Sequence, residues 1–191
     1  VKAPTPRRLF RYVTGCLRLR AYLASPGDRR PQPQIAARGL LWALLISRLL
    51  RESSFHAVEQ LVRSSACRAL CVPTCFGDDA LGYFTERLDP GPTRAALRDV
   101  LHLAKRNKAF DNCRFIGLAI DGTAAGRSTN HECALCRPLR NAKKEVIGYD
   151  HHFAAISVVG AGLSLPFDVE PYGPGDSEYA AGQRLLARAV K

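Results

Sequence analysis

Apolar positions along the chain follow two different periods, and the change falls near residue 110. From Ile35 to Arg51 an almost continuous apolar series (Leu40, Leu41, Trp42, Leu44, Leu45, Leu49, Leu50) predicts a buried core helix. Phe55, Val58, Leu61 and Val62 make one stripe of the next helix, with Ser53 or Ser54 as its cap. Leu81, Phe84 and Leu88 mark a third, capped by Asp78 or Asp79. Pro90-Gly91-Pro92 reads as a break, after which Thr93 caps a fourth helix with Leu97, Val100, Leu101 and Ala104 on its inner face. Ahead of these helices, Arg7, Arg8, Arg11, Arg18 and Arg20 alternate with Leu9, Phe10, Tyr12, Val13, Leu17 and Leu19. That mixture predicts a short basic helix closed by Ser25-Pro26-Gly27-Asp28. Arg29-Arg30-Pro31-Gln32-Pro33 follows as an extended linker, because proline disfavours helix in the residue before it.

Beyond residue 110 the apolar runs shorten. Cys113 to Ile120 is a buried-strand pattern that ends at Asp121-Gly122-Thr123. A polar stretch, 122–145, separates it from a second strand over Val146–Val159, rich in β-branched and aromatic residues. Gly160-Ala161-Gly162 is a tight turn, and Leu163–Val169 is a third strand, so 146–170 should be an antiparallel hairpin. After Pro171-Tyr172-Gly173-Pro174-Gly175, Asp176 or Ser177 caps a helix through Ala180, Leu185, Leu186, Ala189 and Val190. Three regions follow: a basic arm and linker over 1–34, a helical region over 35–110, and a strand-rich part over 111–191.

Charge sharpens this division. The chain has 191 residues and a formal net charge of +11. Residues 1–110 hold 19 basic and 8 acidic side chains, whereas 111–191 hold 9 of each. The whole excess is therefore in the helical part, where it predicts contact with a polyanion such as nucleic acid. At 47% hydrophobic and 24% charged, the chain is globular and not disordered. The longest apolar run, Gly39 to Ile46, falls far short of the ~20 residues that span a bilayer, and nothing resembles a signal peptide. Seven cysteines without export signals predict a reducing compartment. A chain that starts at Val1 and has no Met predicts an unusual start codon or a piece of a longer gene.

Three groups of residues could carry chemistry. Asp121 follows directly on a strand, where rigid backbone can hold a carboxylate towards a divalent cation; an Asx turn ending the strand is the plain alternative. His131-x-Cys133-x-x-Cys136, with His151 and His152 starting 15 positions after Cys136, has the donor types and spacing of a tetrahedral Zn²⁺ site. The plain alternative is a polar loop with two incidental thiols. Arg7, Arg8, Arg11, Arg18, Arg20, Arg29 and Arg30 are candidate phosphate contacts, with Phe10, Tyr12 and Tyr22 for stacking or for packing. Cys67, Cys71 and Cys75 lack a nearby histidine and read as small buried apolar residues. Walker loops, Gly-x-Gly-x-x-Gly and Ser/His/Asp patterns do not occur.

The order of segments adds a resemblance. "FIGLAIDGT", the polar insert, "YDHHFAAISVVGAGLSLPFDVEPY" and "GDSEYAAGQRLLARAV" resemble the catalytic domain of DDE-type insertion-sequence transposases. "GLLWALLISRLLRESSFHAVEQLV" and "GDDALGYFTERLD" resemble the region ahead of it. The resemblance implies an α+β or α/β chain: a helical DNA-associating region, then the first half of a ribonuclease-H-like domain, with three antiparallel strands and a helix. It implies Asp121 as the first catalytic acid, holding Mg²⁺ or Mn²⁺ in the complete enzyme. It also implies transposon-end DNA and a second copy as partners, no membrane, and a bacterial, nucleoid-associated location in the cytoplasm. The second and third acids would lie beyond Lys191, so these residues alone should not cut or join DNA. Asp168, Glu170, Asp176 and Glu178 are the only nearby substitutes; the last two read as helix-capping acids. A non-catalytic DNA-binding protein and a zinc-stabilised interaction module are the readings from other classes.

Overall fold

Helices occupy the first part of the chain and a sheet the second, an α+β arrangement. The computed structural model describes all residues except 1–4, 6, 7, 9, 10, 13, 14, 17, 18, 53, 73, 161 and 191, and describes Arg20 and Ala69 by their backbone alone. Ahead of the sheet, the helices with described bounds are α1 (Leu19–Ala24), α2 (Ala37–Leu49), α3 (Phe55–Arg63), α4 (Ala66–Ala69), α5 (Asp78–Glu86) and α6 (Pro90–Arg106). The strands are β1 (Gly117–Ser128), β2 (Arg137–Arg140), β3 (Val146–Gly160) and β4 (Leu163–Tyr172), and α7 (Glu178–Ala189) follows them. The chain divides into two compact units, Val1–Leu103 and Ala104–Lys191.

In the first unit α2 is apolar nearly all round because it is the centre of the core. Leu40, Leu41, Trp42, Ala43 and Ile46 are buried against Val58 and Val62 of α3 and Leu81 and Phe84 of α5. Each such large side chain contributes about 2 kcal/mol by leaving water. The Trp42 indole N–H, which would be costly to bury unpaired, donates to the Leu70 carbonyl at 2.9 Å. Ser54 caps α3 by accepting from the Ala57 N–H at 3.1 Å.

Several elements begin elsewhere than the residue pattern suggests. Gly77 is the N-cap of α5, and Asp78 and Asp79 sit in its first turn, where they face the positive end of the helix dipole. Pro90-Gly91-Pro92 opens α6 instead of breaking the chain, since a proline at the first helical position lacks only an N–H that has no helical partner there. The expected inner stripe of this helix is not core: α6 has no buried residue, and Leu97 is exposed. From Leu19 onward the expected arm and linker belong to the helical unit. Leu23 joins its core, and Asp28 forms a bridge with Leu88. The Asp89 N–H donates to the Gly27 carbonyl at 2.8 Å, and a Cβ on Gly27 (φ +76°) would lie 2.7 Å from the Asp89 oxygen. Only glycine suits that crossing.

In the second unit β3 is the central strand. β1 runs antiparallel along one edge of it, from Gly117↔Val159 to Ser128↔Tyr149. β4 pairs with His152–Gly160 and β2 with Val146–Asp150 on the other edge, so these two follow one another along β3. The hairpin at 160–162 forms as the pattern predicts. β1 differs: it starts at Gly117 and continues through Asp121-Gly122-Thr123 to Ser128, with a bulge at Gly126 (φ +74°). The long partner strand supplies main-chain hydrogen bonds that outweigh the local turn preference of Asp-Gly. The polar stretch likewise contains β2.

α7 lies across one face of β1, β3 and β4. Ala181 and Leu185 are buried with Ala154 and Ile156 of β3. Ser177 is the N-cap, accepting from the Ala180 N–H at 3.1 Å, and Asp176 instead accepts from Ser177 N–H and pairs with Arg184 at 2.6 Å. No helix among the described residues is long and apolar enough to cross a membrane.

Candidate functional site

Strand alternation decides which of the candidate residues can meet. A Cβ on Gly122 would run into the Glu178 carboxylate at the start of α7, so Gly122 faces the helix and Asp121, its neighbour, projects from the opposite, open face. Asp121 pairs in register with Ala155, near the middle of β1, and is exposed. Asp168 and Glu170 pair in register with Ile156 and Ala154, and both turn towards α7. There Arg188 donates to Asp168 and Glu170, each at 2.8 Å, and Arg184 donates to Glu170 at 2.8 Å. These two carboxylates share a face, as their spacing suggests, but not the face of Asp121. They hold α7 onto the sheet.

The same alternation separates the adjacent histidines. His151 turns towards the insert between β1 and β2, and its Nε2 lies 3.2 Å from Cys133 Sγ and 3.3 Å from Cys136 Sγ. The two sulfurs are 3.8 Å apart, and both thiols are free. His152 turns the other way, with Nε2 3.1 Å from Asp150 Oδ1 and Nδ1 3.4 Å from the Tyr172 hydroxyl. His131 packs edge-on against Tyr149, with ring centroids 5.2 Å apart, and is not grouped with the three donors. Cys136 is buried, and Cys133 is exposed. Backbone N–H groups at Glu132 and Cys133 pull the Cys136 thiol down to about 7 against the opposing effect of burial, with His151 adding to the pull. A cleft of about 190 Å³ opens beside it, lined by Cys136, His151, Tyr149, Glu132 and Ser128 among others. Burial pushes the Tyr172 phenol up, and the charge of Glu178 pushes it further.

The arginines divide. Arg8 and Arg11 are exposed. Arg29 is exposed and pairs with Asp89 at 2.8 Å. Arg30 is committed to the interior, its side chain only 3% exposed, so it does not face a phosphate. It chelates Asp28, donates to the Ile35 carbonyl at 2.8 Å and lies 5.1 Å over the Phe84 ring. Arg7, Arg18 and the Arg20 side chain lie outside the described residues, as does Phe10. Tyr12 is exposed, and Tyr22 shares a hydrogen bond of 2.6 Å with Thr93. Of the other cysteines, Cys67 and Cys71 are half-buried; Cys75 is exposed, not core, and its thiol donates to the Val62 carbonyl at 3.2 Å.

Two placements have no signal in the residue pattern. Glu178 reads as a capping acid, yet its carboxylate reaches Gly122 of β1. In the helical unit His56, Glu59 and Asp78 gather, but Glu59 is already used by Arg63 at 2.8 Å and by the Asp78 N–H at 3.1 Å. Comparison of the chain with family models, curated proteins and solved structures finds no match.

Proposed function

We propose that the chain is the N-terminal part of a DDE-type transposase, a basic helical DNA-associating region followed by the first half of a ribonuclease-H-like domain. The observation that carries this reading is Asp121: an exposed carboxylate in the middle of an edge strand, in a sheet whose three long antiparallel strands lead directly into a helix. The outer edge of β1 has no partner among the described strands, so a further strand can add there through main-chain hydrogen bonds. In this reading that strand brings the second acid. The exposed Arg8 and Arg11 and the one-sided charge of +11 support contact with a polyphosphate backbone. Transposon-end DNA and a second copy of the chain are the implied partners, in a bacterial cytoplasm.

Mg²⁺ or Mn²⁺ chemistry of this kind needs several carboxylates around two ions ~3.5–4 Å apart. Asp121 fits as one ligand of such a cage, but the described residues do not make the cage. Among the described residues, both groups of three or more metal-ligating side chains lie elsewhere. No catalytic step is therefore assigned to these 191 residues by themselves. A DNA-binding protein without catalysis is the second reading, favoured by that same lack of company around Asp121. Cleavage and strand-transfer assays on the longest product of the gene separate the two, because only the first predicts metal-dependent products that vanish in Asp121→Asn.

A further inference from the structure

The Cys133, Cys136 and His151 cluster serves no purpose in the chemistry proposed for Asp121, and its geometry points to a ligand of its own. A zinc ion bound tetrahedrally, with Zn–S of about 2.3 Å and Zn–N of about 2.0 Å, requires sulfur atoms about 3.8 Å apart and sulfur–nitrogen separations of about 3.5 Å. The observed separations are 3.8 Å between sulfurs and 3.2 and 3.3 Å to the imidazole nitrogen. Three donors thus occupy one face of a tetrahedron with the edge lengths that zinc imposes, to within a few tenths of an ångström.

The local fold explains the convergence. The Cys136 N–H donates to the Cys133 carbonyl at 3.1 Å, a turn that brings both thiols to the same side. β3 supplies His151 from a fixed register, Ala125↔His151. Two soft thiolates and an imidazole are the donor set that favours zinc over magnesium or calcium.

We propose that Cys133, Cys136 and His151 bind one Zn²⁺, which fastens the insert between β1 and β2 to the central strand β3. The fourth coordination position is left to water or another exchangeable ligand. His131 is occupied with Tyr149 and takes no part. The site stands independently of the transposase reading, and the failure of either leaves the other intact.

The test is metal analysis of the whole chain, purified under reducing conditions without chelator, with cobalt(II) titration as an optical probe. The expected result is about one zinc per chain and, on cobalt loading, the intense visible d–d absorption of a tetrahedral thiolate site. The double variant C133S/C136S and the variant His151→Gln should each weaken zinc binding at least ~100-fold, more than the ~10–100-fold seen for outer-shell partners. His131→Ala should keep the metal. Reduced wild-type protein that takes up no near-stoichiometric zinc, or gives only the pale spectrum of octahedral cobalt, overturns the site whether or not any variant folds. Loss of zinc in His131→Ala overturns the three-ligand assignment.

Discussion

Arg30 chelates Asp28 from inside the helical unit: its Nε and Nη2 donate to the two carboxylate oxygens at 2.9 and 2.8 Å, and the guanidinium lies over Phe84. Removing one member of such a buried pair strands the other. Arg30→Ala should cost the helical unit about 3 kcal/mol. Trp42 is the only tryptophan and is buried in that core, so its fluorescence during urea unfolding measures the destabilisation. An unchanged midpoint would show that the pair adds nothing.

The same pair sets an acid limit. The Arg30 guanidinium holds the Asp28 carboxyl below the usual carboxylate range, despite the opposing effect of burial. A group depressed in the folded state stabilises fully above its unfolded pKa, about 3.9, and its stabilisation fades as pH falls through the lower folded value. Trp42 fluorescence should therefore report a fall in stability below about pH 4 that is shallower in Asp28→Asn. Equal slopes in the two proteins would remove Asp28 as a cause.

DNA binding should separate the arginines by exposure. Replacing Arg8 and Arg11 with Gln should lower affinity for a short duplex and reduce the salt slope by about one for each phosphate no longer neutralised. Arg30→Lys should alter stability and leave the salt slope unchanged. A slope unaffected by the Arg8 and Arg11 changes would place the DNA-binding surface elsewhere.

How far these features can be read from residues alone depends on where their partners lie. The cores of α2 and α3, the β3–β4 hairpin and the Ser177 cap rest on near neighbours in sequence, and they appear where the pattern puts them. The Cys133, Cys136 and His151 grouping is legible from spacing, but only strand alternation chooses His151 over His152. Arg30 reads as a linker residue because Pro31 follows it. Its burial depends on Phe84, more than fifty positions away. Asp121 reads as the end of a strand because Asp-Gly-Thr favours a turn, whereas pairing with a fifteen-residue β3 carries the strand on to Ser128.

On the helix side of the sheet, Arg188 bridges Asp168 and Glu170 at 2.8 Å each. Arg188→Met should destabilise the second unit by about 2–3 kcal/mol, because it removes the cation that two largely buried carboxylates share. A double-mutant cycle with Asp168→Asn should give a coupling above about 1 kcal/mol. Additive single effects would mean that the ion pair is not what holds α7 in place.

The central claim, that Asp121 is a catalytic carboxylate of a DNA-cutting enzyme, is tested most directly by one comparison. The longest product of the gene and its Asp121→Asn variant are incubated with element-end DNA and Mn²⁺, and nicked and joined strands are counted on a denaturing gel. Wild-type protein should give products, and Asp121→Asn should reduce them by at least ~1000-fold while binding the DNA as well as before. Products that survive in Asp121→Asn, or none from wild-type protein that binds those ends, would contradict the account.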